Sequence, residues 1–386
     1  MLEREGGRVR SIRMPLSLYL HIPFCAAICN YCNFNRGLFD EAVKTRYLAA
    51  LEREIDRYAD RSPADTIFFG GGTPSLLAPA EVRRLIEACR RGFDLDPRAE
   101  ITLEANPETV DVRRLSGFLD AGVTRLSLGV QSLRDDELTR LGRLHASGRA
   151  KSAVAEARAA GFENVSIDLM MWLPQQTVAA WQRTVEDAIG LSTDHLSLYL
   201  LELYPNAPLR ELMLRSQWTL APDDDAAEMY LRAMERLEAA GYEQYEISNV
   251  ARPGRQCRHN LKYWQDGAWL GFGCGAHSTR GPERWRNVAS TAEYIARAGV
   301  GSDFAVEKHT RPRDEQLGDA LFTGLRLSAG LDLEEVEGRY GVDVWDRYGE
   351  ALAPFAAAGH VIREGNCLRL TRAGMLLANE VMAAFV

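Results

Sequence analysis

Residues Tyr19–Asn35 read YLHIPFCAAICNYCNFN and hold three of the chain's seven cysteines, Cys25, Cys29 and Cys32, in the spacing C-x3-C-x2-C. Three thiolates this close on one short loop can each bind one iron of a cubane cluster, and the fourth iron is then left without a protein ligand. A zinc site asks for a fourth cysteine or histidine close by. His21 lies ahead of the loop, but it is held in the strand-like run LYLHI. The plain alternative is three buried cysteines that happen to cluster. The spacing favours a cluster with an open iron, where a small chelating ligand can sit.

The bulk composition frames that loop. The chain has 386 residues, 46% hydrophobic and 26% charged, an ordinary globular composition with length for about two domains. No apolar run reaches the roughly 18 residues that a membrane span needs. The N-terminus, MLEREGGRVRSIRMP, is charged and lacks the apolar stretch of a secretory signal. An odd number of cysteines in a long chain argues against a disulfide framework and for a reducing cytoplasm. A net charge of −8 argues against a nucleic-acid partner. The expectation is a cytoplasmic protein with a cluster.

Outward from the loop, one pattern repeats. SLYLHI at 17–22 is a β-type run that delivers the cysteines, and Tyr47, Leu48, Leu51, Ile55 and Tyr58 predict an amphipathic helix over 41–59. TIFFG precedes a helix near 78–91, ITLEAN one near 111–120, and TRLSLGVQ helical sequence to about 160. NVSIDLMM then leads to a helix near 177–190, and DHLSLYLLE to one near 223–240. Such alternation implies parallel βαβ units, and six of them suit a partial (β/α) barrel. Polar or glycine residues stand at the strand ends: the cysteine loop, Gly70-Gly71-Gly72-Thr73, Glu104, Gln131, Asp168 and Glu202. A parallel barrel builds its site from these ends. The glycines of GGGTP are either a tight turn or a place where backbone approaches a ligand closely. No lysine follows them as a phosphate loop requires, and G-x-G-x-x-G does not occur.

On these residues the chain resembles the radical S-adenosylmethionine (SAM) superfamily: C-x3-C-x2-C with Tyr31 before the third cysteine, and GGGTPS after the second strand. HIPFC ahead of the motif narrows the resemblance to the branch of oxygen-independent coproporphyrinogen III oxidases (HemN) and the related heme chaperones (HemW). It covers most of 15–385 and implies an α/β fold. A partial (β/α)6 barrel would span 15–241 after a tail at 1–14. A barrel-completing segment would span 242–300, and a winged-helix-like C-terminal domain 301–386. It further implies a [4Fe-4S] cluster on Cys25, Cys29 and Cys32 that chelates the amino and carboxylate groups of SAM. Tyr19, Tyr31, Gly70, Gly71, Gly72, Thr73 and Glu104 match family positions around SAM. Gln131, Arg143 and Asp168 match positions that bind SAM in the oxidase. Trp172-Leu-Pro-Gln-Gln stands where the family shows Gly-Leu-Pro-Gly-Gln, a departure that bears on the loop after strand five and on any second SAM pocket.

Past the barrel, 242–287 is dense in aromatics and glycines. His259, Asn260, Tyr263 and Trp264 spell H-N-x-x-Y-W, which resembles the heme-associated motif of the HemW branch. An imidazole can ligate heme iron while aromatic faces cover the macrocycle, and Cys257 is a competing ligand two residues away. Two other readings stand: packing at a domain seam, or a zinc site on Cys257-x-His259 and Cys274-x2-His277. From 301 on, Leu317, Leu321 and Leu325 mark one helix and 343–357 another; VIREGNCLRLT reads as two strands about a turn, and 373–384 as a last helix. This part carries 9 Lys/Arg against 14 Asp/Glu, a balance of −5, so it suits a lid or protein contact better than DNA.

The resemblance leaves two functions in competition. One is the oxidase, a SAM-dependent decarboxylase of coproporphyrinogen III, whose cofactor carries the chemistry. The other is a heme chaperone that keeps the cluster and SAM and hands heme to a client protein. Asn33-Phe34 follows the third cysteine where the oxidase has Gly-Cys, only 24 residues precede Cys25 where the oxidase has a long extension, and H-N-x-x-Y-W is present. All three favour the chaperone. A radical SAM enzyme for another substrate is the third reading, carried by WLPQQ. The partners expected are heme and a client, with a second copy of the chain as a further candidate, and with no nucleic acid and no membrane span.

Overall fold

Leu16–Ile22 (β1) is buried at six of its seven positions, the pattern of a parallel strand covered on both faces. The computed structural model of the chain describes residues 14–385, and the backbone of 2–5 and 8–11 as an antiparallel pair. The rest of the tail expected at 1–14 lies outside the described residues. Beside β1 run Pro63–Gly71 (β2), Asp94–Ala105 (β3), Arg125–Gln131 (β4), Val165–Met171 (β5) and His195–Leu200 (β6), all parallel and in chain order. The six βα units read from the sequence are therefore present.

The sheet continues beyond them at both edges. Glu243–Glu246 (β7) and Asn249–Ala251 (β8) form a hairpin whose second strand pairs antiparallel with β6. Trp269–Phe272 (β9) instead adds a seventh parallel strand beside β1, at the opposite edge. His277–Arg280 (β10), Glu283–Asn287 (β11) and Ala305–Thr310 (β12) extend that edge antiparallel. The segment at 242–300 thus serves both edges, and the strand that completes its far edge, Ala305–Thr310, lies wholly beyond 300.

Alternation along the strands separates two environments. Leu18, Leu20, Ile67, Phe69, Leu103, Leu126 and Ile167 have no exposed surface and face the helices; each such side chain contributes about 1.5–3 kcal/mol by burial. The alternate positions point inward and are polar: Ser17, Thr66, Glu100, Arg125, Ser166 and His195 lie in neighbouring register across β1 to β6. Polar groups tolerate burial there because they bond one another, as Thr66 Oγ1 does with Ser17 Oγ at 3.0 Å and Ser166 Oγ with His195 Nδ1 at 2.8 Å.

The C-terminal part packs three helices, Arg313–Gly324, Leu333–Tyr340 and Val344–Ala357, against the hairpin Val361–Glu364/Cys367–Leu370. Leu331–Asp332 adds a third strand, giving the winged-helix-like order. The single helix predicted at 373–384 is broken into Arg372–Met375, Ala378–Met382 and a last turn. No helix among the described residues is long and apolar enough to cross a membrane.

Candidate cluster and cofactor site

The cysteine loop leaves the C-terminal end of β1 and is pinched at its base. Gly37 N donates to Pro23 O at 2.7 Å and Phe39 N to Cys25 O at 2.9 Å. Its tip is tied to two neighbours, through Asn30 N to Leu141 O at 3.2 Å and Leu209 N to Asn30 O at 3.0 Å. Cys25 is buried, and Cys29 and Cys32 are half-buried. Burial pushes the thiols of Cys25 and Cys32 up, so metal binding here would release protons. Two sulfurs meet side-chain donors: Thr73 Oγ1 lies 3.6 Å from Cys25 Sγ and Arg143 Nη1 3.4 Å from Cys29 Sγ. Donors aimed at sulfur suit an anionic thiolate cluster. Among the described residues, no three His, Cys, Asp or Glu side chains gather to hold a single metal ion.

GGGTP braces this loop. Gly72 N donates to Ile22 O and Thr73 N to Phe24 O, both at 2.8 Å. Gly71 has φ +115°, and its N–H donates to Glu104 Oε2 at 3.2 Å. A side chain on Gly72 would stand 2.7 Å from Phe24 O and 3.0 Å from Cys25 Sγ. Tyr19 faces inward beneath Gly70, its hydroxyl 3.2 Å from His21 Nδ1. Burial first, and then the charge of Asp168, push Glu104 up to about 8. Burial likewise raises Asp168, which accepts from Ser127 Oγ at 3.3 Å. Glu100, Glu104 and Asp168 line the interior, with Arg125 among them and Arg143 at the mouth, and a cationic ligand would meet these carboxyl groups. SAM, with its ammonium and sulfonium, is such a ligand.

Gln131 ends β4 at a bulge with φ +66°. Arg143 reaches the mouth from the following loop, where its Nη2 donates to Asn106 Oδ1 and Gly129 O, both at 2.8 Å. Burial raises the Tyr31 hydroxyl, with Arg143 opposing. Glu202, by contrast, is exposed and bonds Tyr204, so the sixth strand end does not join this set. Trp172 and Gln175, the two residues that replace family glycines, both keep left-handed backbone, with φ of 60° and 62°. They grip the segment ahead of residue 222: Trp172 Nε1 donates to Ala221 O at 2.8 Å and Gln175 N to Thr219 O at 2.9 Å. That segment includes the helix Pro208–Ser216, whose Leu209 and Met213 pack with Leu141, Leu173 and Tyr31 over the mouth.

H-N-x-x-Y-W lies at the other end. Its helix, Arg258–Trp264, closes the barrel floor. His259 is 1% exposed; its Nδ1 meets Thr66 Oγ1 at 2.9 Å and its Nε2 meets Tyr263 OH at 2.8 Å. Burial lowers the imidazole to about 3. In this conformation it presents no free nitrogen to a heme iron. Asn260 is half-buried, and the Trp264 ring carries the Arg326 guanidinium 4.4 Å from its centre. Cys257 is fully buried with its thiol 3.7 Å from Glu100 Oε1. Cys274 is buried against Thr291, and His277 is exposed. The zinc reading of these four residues is therefore not met.

Residues 19–188 match the Radical SAM superfamily and 312–377 the HemN C-terminal domain. The chain is 37% identical to the heme chaperone HemW of Bacillus subtilis, across 96% of this chain and 99% of that protein. It is 38% identical to the heme chaperone HemW of Mycobacterium tuberculosis, across 95% and 94%. The solved coproporphyrinogen III oxidase HemN of Escherichia coli superposes with a TM-score of 0.85 at 25% identity, across 97% of this chain and 90% of that one.

Proposed function

The chain belongs to the HemW family within the radical SAM superfamily, and from that premise we propose a heme chaperone that holds a [4Fe-4S] cluster and SAM in the barrel mouth, binds heme and passes it to a client protein. The near end-to-end identity with curated heme chaperones carries this reading. Cys25, Cys29 and Cys32 would hold the cluster, which when reduced supplies an electron for SAM cleavage. Gly71, Gly72 and Thr73 give SAM a close backbone wall. Glu104 offers its carboxyl to the ligand's positive charge, and the helix Pro208–Ser216 limits water at the mouth.

Heme contact through His259 requires the floor helix to move, because both ring nitrogens are bonded. Anaerobic heme titration of the wild type and of His259→Ala, followed by absorbance, tests the proposal. Saturable one-to-one binding that weakens in the variant supports the chaperone and ties heme to the floor motif. Equal binding in both supports the chaperone and moves the ligand elsewhere. Absence of specific binding, together with SAM-dependent turnover of coproporphyrinogen III, would return the oxidase to first place.

A further inference from the structure

We infer that Asn106 is a positioning residue for the cluster, because its one carboxamide ties together the two side chains that donate to the cysteine sulfurs. Asn106 stands one residue beyond β3 in extended backbone, φ −94° and ψ 143°. Its Nδ2 donates to Thr73 Oγ1 at 3.2 Å, and its Oδ1 accepts from Arg143 Nη2 at 2.8 Å. A hydroxyl has a single proton. Having accepted from Asn106, Thr73 is left aiming that proton at Cys25 Sγ, 3.6 Å away. Arg143 is fixed at Nη2 by Asn106 and Gly129, which leaves Nη1 on Cys29 Sγ at 3.4 Å. The amide orientation follows from its partners, since the reverse would face its NH2 against the guanidinium. Cys25 and Cys29 are thus held from the barrel side by one group bridging two strand ends.

Hydrogen bonds to ligand sulfurs set the potential of an iron–sulfur cluster, and the groups behind the ligands orient them. The inference rests on the cluster reading and is independent of heme. Asn106→Asp keeps the shape and the bond to Arg143, but a carboxylate has no proton to give Thr73. The Thr73 hydroxyl then donates to the new carboxylate, Cys25 loses its donor, and a negative charge is added nearby. The lost donor and the added charge both disfavour the reduced cluster.

The experiment is anaerobic reconstitution followed by redox titration read by electron paramagnetic resonance, on the wild type, N106D, N106A, T73V and T73S. The expected result is wild-type iron and sulfide in N106D with a tenfold lower ratio of reduced to oxidised cluster at fixed potential, a midpoint drop of about 59 mV for one electron. T73V shifts the same way by less, and T73S behaves as wild type. Fully loaded N106D and N106A with the wild-type midpoint overturn the inference. Loss of cluster from both, with circular dichroism and melting unchanged, supports it. If both unfold, T73V decides: loaded with an unchanged midpoint, it overturns the inference. A wild type that assembles no cluster removes the cluster reading and this inference together, whereas a failed heme titration touches only the chaperone.

Discussion

Replacing Glu54 with glutamine tests how burial sets the ionisation of a group that ties the first helix, Glu41–Arg57, to the edge of the barrel. Glu54 has no exposed surface. It accepts from Gly273 N at 2.7 Å, Asn287 Nδ2 at 2.6 Å and Tyr294 OH at 2.5 Å. Burial outweighs those three donors and pushes its carboxyl from 4.5 up to about 7. The folded chain therefore keeps a proton that the unfolded chain has lost. With more protons bound in the fold, stability falls as pH rises between 4.5 and 7. At 1.36 kcal/mol per pH unit the full loss is about 3.4 kcal/mol. Glutamine cannot ionise, so E54Q lacks this slope. Its oxygen can still take Gly273 and Tyr294, which share Oε2 in the wild type. Its NH2 must meet Asn287, whose Oδ1 is buried without a partner and can turn to accept. That turn breaks the 2.9 Å bond from Asn287 Nδ2 to Gly273 O, a loss of about 1 kcal/mol. E54Q should be nearly as stable as the wild type at pH 5, where ionisation of the unfolded chain has already cost the wild type about 0.8 kcal/mol, and about 2 kcal/mol more stable at pH 8. Urea unfolding of both proteins across that range measures the difference. Parallel pH profiles would refute the reasoning.

Four further outcomes follow from the mouth of the barrel. Cys29→Ala should abolish the broad visible absorbance of the reconstituted protein, and unchanged iron content would overturn the ligand assignment. Gly72→Ala drives a methyl onto Phe24 O and Cys25 Sγ, so iron per chain should fall well below the wild-type value. Trp172→Ala and Trp172→Gly both lose the indole bond to Ala221 O, but glycine also relieves about 1–2 kcal/mol of left-handed backbone cost; the glycine variant should have the higher urea midpoint. Glu104, held protonated to about pH 8, must ionise to meet a cationic ligand, so SAM should bind more tightly from pH 7 to 9 and release a proton on binding. A heat of binding independent of buffer would contradict this.

The parallel strands were legible because their outward residues are uniformly apolar while their ends carry the chemistry. Each of β1 to β6 falls where the sequence places it. The edges were not. β7 to β12 are short, of three to six residues, and all but β9 join only antiparallel neighbours; nothing local tells β9 to join β1 at the far edge. The helix Pro208–Ser216 has only two buried residues, too few for a periodic signal, and its position depends on Asn30 and on the WLPQQ loop. Asn106 escaped because an asparagine before proline is ordinary turn chemistry; only the fold sets it between Thr73 and Arg143. Its one sequence signal is its place two residues after Glu104 at a strand end.

Mouth and floor show why one motif located its residues and the other did not fix their role. C-x3-C-x2-C and GGGTP constrain backbone: the glycines are needed because β2 passes within contact of the cysteine loop, as Gly72 against Phe24 O and Cys25 Sγ demonstrates. Such a motif can be read from sequence alone, since close approach and thiol spacing leave few other uses. H-N-x-x-Y-W constrains side chains, and a histidine beside two aromatics has two physical uses, ligation or packing. The fold chooses packing for the conformation described: Thr66 and Tyr263 take both nitrogens, and Trp264 and Asp266 join the floor to Arg326 and Arg339 of the C-terminal part. Any heme bound through this motif would have to compete with those contacts. Heme affinity at the floor, if heme binds there, would therefore be coupled to the docking of the C-terminal part, and a substitution at Arg326 should alter both or neither.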